Sequence, residues 1–202
     1  MNYYDENGQM FFDGTVDTDM TPHYEKFLKL IPENSHILDA GCGSGRDTKN
    51  FKDLGYTVTA IDGSKKMCEL AGEYANVNVY HMQFQEIQFE NEFDGIWASA
   101  SLLHVPSSEI NLVLGKLKKS LKENGILYAS FKYGDFEGER NGRYFNDLTE
   151  STACELFEKN GFEIIKTWLT NDARPGREDE KWVNILVKNS SNIEKKKKII
   201  VG

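Results

Sequence analysis

Short runs of β-branched and apolar residues alternate along this chain with longer stretches whose apolar positions recur at three- and four-residue spacing, the rhythm of strands separated by amphipathic helices. Thr21-Pro22 supplies helix-start chemistry for a segment that puts Tyr24, Phe27, Leu28 and Leu30 on one face. A strand over 36–40 follows, then a helix over 46–54, a strand over 57–61, and a helix that Ser64 caps and that runs to about residue 74. Strands over 77–82 and 93–99 come next. Ser107-Ser108-Glu109 opens a further helix, which Asn124-Gly125 ends, and 126–132 makes the fifth strand. A helix over 149–160 closes at Gly161, and strands over 162–170 and 181–188 pair as a hairpin around 171–180. Residues 132–145 read as a loop. This alternation requires a parallel sheet with crossover helices, so the class is α/β.

No internal repeat interrupts that order, and 202 residues suffice for one domain with a full core but not for two ordinary ones. A formal net charge of -8 speaks against a generally basic nucleic-acid surface and favours small soluble substrates. Met1 leads straight into Asn2-Tyr3-Tyr4-Asp5-Glu6, and no apolar run approaches the roughly 18 residues of a membrane span. The expected location is the cytoplasm, with no membrane partner. Cys42, Cys68 and Cys154 lack metal-type spacing, so free thiols and no metal site are expected. The lysine run at 195–198 marks residues 189–202 as a disordered basic tail.

The densest chemistry lies where the first strand stops, in Asp39-Ala40-Gly41-Cys42-Gly43-Ser44-Gly45. A strand that ends in a glycine-rich turn before a helix lets backbone approach a ligand closely, because glycine has no Cβ and tolerates positive φ. The second strand ends in Asp62, at the offset where Rossmann-type folds set a carboxylate on ribose hydroxyls. The glycines read G-x-G-x-G rather than the G-x-G-x-x-G of dinucleotide sites, which disfavours nicotinamide. The string His36-Ile37-Leu38-Asp39-Ala40-Gly41-Cys42-Gly43-Ser44-Gly45 resembles the first motif of the class I S-adenosylmethionine (SAM) methyltransferases. That resemblance covers about residues 24–188 and implies a Rossmann-like, doubly wound, seven-stranded sheet whose last strand is antiparallel. It also implies SAM as cofactor. Asp39, Gly41, Cys42, Gly43 and Gly45 would then form the turn around it, with Asp62, Gly63, Ser64 and Met67 beside the ribose. Gln83 and Phe84 would face adenine, where many members carry an Asp. Ala98 and Ser99 would meet the methionine ammonium and Arg46 its carboxylate. Tyr3, Tyr4, Phe11 and Phe12 make residues 1–20 a candidate lid over a domain spanning 21–188.

In open sheets of this class the ligand sits beyond the carboxyl ends of the strands, which directs the methyl acceptor to residues 104–106, 132–145 and 171–177. Arg140, Arg143, Arg174 and Arg177 lie there and are expected to hold an anionic handle on a small-molecule substrate. Ion pairing with Asp135, Glu137, Glu139, Asp172, Glu178 and Asp179 is their competing use. Methyl transfer from a sulfonium is an in-line displacement that needs a base only where the acceptor carries a proton. His104 is the first candidate, followed by Tyr133 and Tyr144. The expected activity is SAM-dependent methyl transfer to a small anionic molecule by a monomer or homodimer, similar to stand-alone bacterial methyltransferases including the tellurite-resistance type. Gly142-Arg143-Tyr144-Phe145 also resembles a motif of tRNA wobble-uridine methyltransferases, so a tRNA-modifying enzyme is one alternative, although the acidic balance makes nucleic acid a disfavoured partner. A non-catalytic SAM-binding regulator is the other.

Overall fold

In the computed structural model, which describes residues 3–190, the alternation of the sequence becomes a layered sheet. Strands β1 (His36–Ala40), β2 (Thr57–Asp62), β3 (Val79–His81), β4 (Phe93–Ala98) and β5 (Leu121–Lys132) run parallel. A small hairpin, β6 (Glu137–Arg140) and β7 (Arg143–Asn146), stands apart from that sheet. The chain then returns as β8 (Phe162–Asn171) and β9 (Lys181–Asn189), with β9 antiparallel to both β5 and β8. The order across the seven strands is β3-β2-β1-β4-β5-β9-β8. Helices α1 (Tyr3–Asp13), α2 (Thr21–Leu28), α3 (Arg46–Asp53), α4 (Lys65–Ala75), α5 (Ser107–Ser120) and α6 (Glu150–Lys159) supply the rest. The reversal of strand order between β1 and β4 opens a crevice at their carboxyl ends, where ligands of such sheets bind.

Both faces of the sheet are covered, which is why its central strands are apolar almost throughout. Leu38, Ile96 and Leu127 face a layer built from Ile110, Val113 and Leu117 of α5 and Phe157 of α6. The alternate positions Ile37, Trp97, Ile126 and Tyr128 face Tyr24 and Phe27 of α2 and Phe51 of α3. Fully burying side chains of this size contributes about 1.5–3 kcal/mol each, so these layers fix the strand ends on which the site is built.

Two local expectations are corrected. Helix α5 stops at Ser120, and Leu121 is already extended and paired with Phe93. Asn124-Gly125 therefore sits in an irregular step of β5 rather than at a helix end. The Asn189 amide donates to the carbonyls of Lys118, Leu121 and Lys122 and satisfies the groups that the helix leaves behind. The presumed loop over 132–145 contains the β6–β7 hairpin, closed at Asn141-Gly142 with φ of 51° and 74°, the two positive values that a tight primed turn requires. The N-terminal segment is helical, and Gly8 lets α1 lie against α4, since a Cβ there would come within 2.6 Å of Lys66 Cγ. The expected basic tail lies, beyond Ser190, outside the described residues.

Candidate active site

A cavity of about 790 Å³ opens over the crevice. At its near end, Gly41 and Cys42 donate backbone N–H groups to the Ile61 carbonyl, which ties the turn after β1 to the end of β2. Gly41 has φ of 79° and its missing Cβ would lie 2.6 Å from Ser101 Cβ, so no other residue fits without moving the β4 end. The ring of Phe84 also closes on Gly41. Asp62 is held from behind: Gly43 N–H donates to one carboxylate oxygen and Ser64 N–H to the other, both at 2.9 Å. Burial raises its pKa while those two donors oppose the rise. Each oxygen retains acceptor capacity toward the cavity. Gln83 donates its side-chain amide to the Gly63 carbonyl at 3.0 Å, which leaves its amide oxygen as the acceptor at this corner.

Gly41, Cys42, Gly43, Arg46, Asp62, Gly63, Ser64, Met67, Gln83, Phe84 and Ser99 all line the cavity. Three expected contacts do not. Asp39 lies behind the turn, buried and accepting the Thr48 hydroxyl at 2.6 Å, with its pKa raised by burial and by the neighbouring Asp47. Gly45 faces helix α4, where a Cβ would meet Ala71 at 2.9 Å. Ala98 is wholly buried within β4, and the cavity wall begins one residue later with Ser99, Ala100 and Ser101. Ala100 has φ of 50° and donates its N–H to Ser130 Oγ.

At the far end, His104 Nδ1 lies 2.6 Å from the Tyr144 carbonyl and Nε2 lies 2.8 Å from the Tyr4 hydroxyl. A carbonyl can only accept, so Nδ1 carries the hydrogen and Nε2 accepts from Tyr4. Burial pushes the His104 pKa down to about 4, with the nearby Arg143 charge acting in the same direction, so the ring is neutral at pH 7. Tyr133 lines the cavity and is 43% exposed. The expectation for Tyr144 is corrected: its hydroxyl donates to Glu137 at 2.5 Å, and the residue reaches the site only through its backbone carbonyl.

The four arginines all line the cavity but are not equivalent. Arg174 grips Asp172 through Nε and Nη2, Arg140 pairs with Asp147 at 2.5 Å, and Arg177 with Glu180 at 3.1 Å. Arg143 has no carboxylate within ion-pair distance among the described residues; it lies over the rings of Tyr3 at 4.9 Å and Phe145 at 5.1 Å, and its Nε is buried without a partner. Sequence reading placed Tyr4 only in the candidate lid, and missed Asp47, Ser101 and Ser130 as site residues. Their only sequence signal is a polar identity beside a strand end or at a helix start. No group of three or more His, Cys, Asp or Glu suited to a metal occurs among the described residues, and no helix there is long and apolar enough to cross a membrane.

The known-protein comparisons agree with this geometry. The methyltransferase domain family matches residues 37–125. A methyltransferase of Staphylococcus carnosus is 30% identical over 148 residues, covering 69% of this chain and 72% of its own length. A malonyl-[acyl-carrier protein] O-methyltransferase of Buchnera aphidicola is 33% identical over 104 residues, which are 50% of this chain and 41% of that relative. The chain belongs to the methyltransferase domain family and is a class I SAM-dependent methyltransferase, with SAM as its cofactor. In fold it matches the 1,6-didemethyltoxoflavin-N1-methyltransferase of Burkholderia thailandensis, with a TM-score of 0.75 at 21% identity over 93% of this chain and 84% of that one.

Proposed function

We propose that the protein methylates a small molecule that carries an anionic group. One observation carries this reading: a single cavity joins the glycine turn and Asp62 to Arg143, the arginine there that meets no carboxylate among the described residues. Its size lies within the roughly 300–1,000 Å³ usual for small-molecule sites. The Buchnera relative is named for action on a malonyl group, itself a carboxylate bearer, which agrees with an acidic acceptor.

In this reading Asp62 accepts the ribose hydroxyls of SAM, Gln83 and Phe84 face the adenine, and the Ser99 region faces the methionine ammonium. Arg46 takes the methionine carboxylate. When bound, SAM supplies an electrophilic methyl group. The chain's own contribution is to orient the acceptor and exclude water. Arg143 holds the acceptor's anionic group through planar donors. His104, neutral and with its Nε2 lone pair spent on the Tyr4 hydroxyl, orients that hydroxyl at the acceptor end.

The test uses SAM labelled in its methyl group, the purified protein and a cell extract separated into small-molecule, RNA and protein fractions. Label is expected among small molecules, and passing the extract over an anion exchanger beforehand should abolish it. Label in RNA or protein, or labelling that survives the exchanger, would overturn the proposal.

A further inference from the structure

A chain of hydrogen bonds runs from the aromatic layer beneath the sheet to the cavity wall, and it passes through a residue that the cofactor contacts above do not use. Asp47, the second residue of α3, is 5% exposed. Its carboxylate accepts Trp97 Nε1 at 2.8 Å, the Tyr24 hydroxyl, and Arg46 Nε and Nη2 at 2.7 and 3.0 Å. A carboxylate offers about four acceptor positions, so this one is saturated. The donors come from β4, α2 and α3. Two of them are themselves packed against further rings: Trp97 stacks on Tyr128 with ring centroids 4.0 Å apart, and Tyr24 packs edge-on against Phe51. A buried charge held at every lone pair has one orientation.

That orientation is passed to Arg46. Two parallel bonds to one carboxylate fix the plane of a guanidinium as well as its position. Of the five N–H donors of Arg46, two are spent on Asp47 and one, from Nη1, on the Thr15 carbonyl at 3.2 Å. Two remain, one on each terminal nitrogen, at a residue that lines the cavity beside the glycine turn. Because Asp47 already balances the charge, what Arg46 offers an incoming anion is a preset pair of donors more than net attraction.

We propose that Asp47 is a positioning residue: with Tyr24 and Trp97 it fixes the Arg46 guanidinium so that its two remaining N–H groups receive the methionine carboxylate of the cofactor. The inference rests on Arg46 being the carboxylate contact. It differs from a merely structural ion pair in what it predicts for ligands that lack a carboxylate.

Calorimetric titrations with S-adenosylhomocysteine and with 5′-methylthioadenosine, which keeps the adenosyl thioether but has no amino-acid part, separate the two. The proteins are the wild type, Asp47→Asn and Tyr24→Phe. Asp47→Asn should weaken S-adenosylhomocysteine by about tenfold or more and leave methylthioadenosine within about twofold, since a buried charged hydrogen bond is lost only at the carboxylate receptor. Tyr24→Phe should act in the same direction to a smaller degree. Equal loss for both ligands, or loss for neither, overturns the proposal. Thermal melts report folding; should Asp47→Asn not fold, an unchanged ratio of the two affinities in Tyr24→Phe overturns it alone. A wild type that binds S-adenosylhomocysteine no better than methylthioadenosine removes the carboxylate receptor, whereas one that binds neither removes the cofactor site itself.

Discussion

His104 shows how a single side chain can be read through its two neighbours. Its Nδ1–H is spent on the Tyr144 carbonyl and its Nε2 on the Tyr4 hydroxyl, so protonation would need a new acceptor in a buried place close to Arg143. The folded-state pKa is about 4, below the unfolded value near 6.5. The unfolded chain therefore binds this proton first, and the stability that neutral His104 contributes is present above about pH 6.5 and lost as pH falls toward 4. Comparing melting temperatures of the wild type and His104→Gln across that interval should show their difference shrinking with acidification. His23, also lowered to about 4, and Asp39, raised by burial, are common to both proteins and cancel. A constant gap would mean that His104 is not buried as the neutral form. Arg143 allows a second residue-scale test. Its replacement by Ala should raise the KM for the acceptor by about tenfold, the worth of one or two hydrogen bonds to a charge, and leave SAM affinity within about twofold. Equal effects on both would detach Arg143 from the acceptor.

Among the elements, α1 does most that a sequence reading could not foresee. Three of its side chains reach the site: Tyr4 meets His104, Asp5 accepts the Ser64 hydroxyl at 2.6 Å, and Phe11 lies 3.3 Å from where a Cβ of Gly43 would be. Ser64 in turn donates its N–H to Asp62, so the helix is linked to the Asp62 carboxylate through one residue. Removing residues 1–15 should quicken release of S-adenosylhomocysteine, measured by stopped flow, and raise amide exchange over 62–68; an unchanged release rate would reduce α1 to a packing element. The aromatic content of this segment was legible in the sequence, but the helix was not. Its apolar residues do not form a strong stripe, and Gly8 sits mid-helix where propensity is poor. The β6–β7 hairpin was missed for a different reason. Asn141-Gly142 is a strong turn signal, yet the flanking charges of Glu139, Arg140 and Arg143 disguise the strands. At the end of α5, the same kind of Asn-Gly signal misled, because pairing of Leu121 with Phe93 extended the strand four residues ahead of it.

At the scale of the whole molecule, the alternation gives the α/β class and the family resemblance carried by one short motif implies the seven-stranded sheet with its antiparallel last strand, while neither reaches the network behind Arg46. Trp97 and Asp47 are 50 residues apart in sequence and meet only because β4 lies beside β1 in the finished sheet. Local periodicity carries the layers; side-chain pairs across the switch point need the fold. That same topology ties cofactor binding to global stability. The near end of the cavity is built from the ends of β1, β2 and β4, together with α1 and α3, so a ligand there contacts elements that come together only in the folded chain. Ligand that binds the native state alone stabilises it by RT ln(1 + [L]/Kd), about 2.7 kcal/mol at a hundred times Kd. For a domain of this length each kcal/mol is worth about 2–4 °C, so S-adenosylhomocysteine at that excess should raise the melting temperature by about 5–10 °C. Asp62→Ala, which strips the acceptor that Gly43 and Ser64 orient, should need far more ligand for the same rise. A melting temperature that ignores S-adenosylhomocysteine in the wild type, or an Asp62→Ala variant that responds at the same ligand concentrations, would break the link between this crevice and the cofactor.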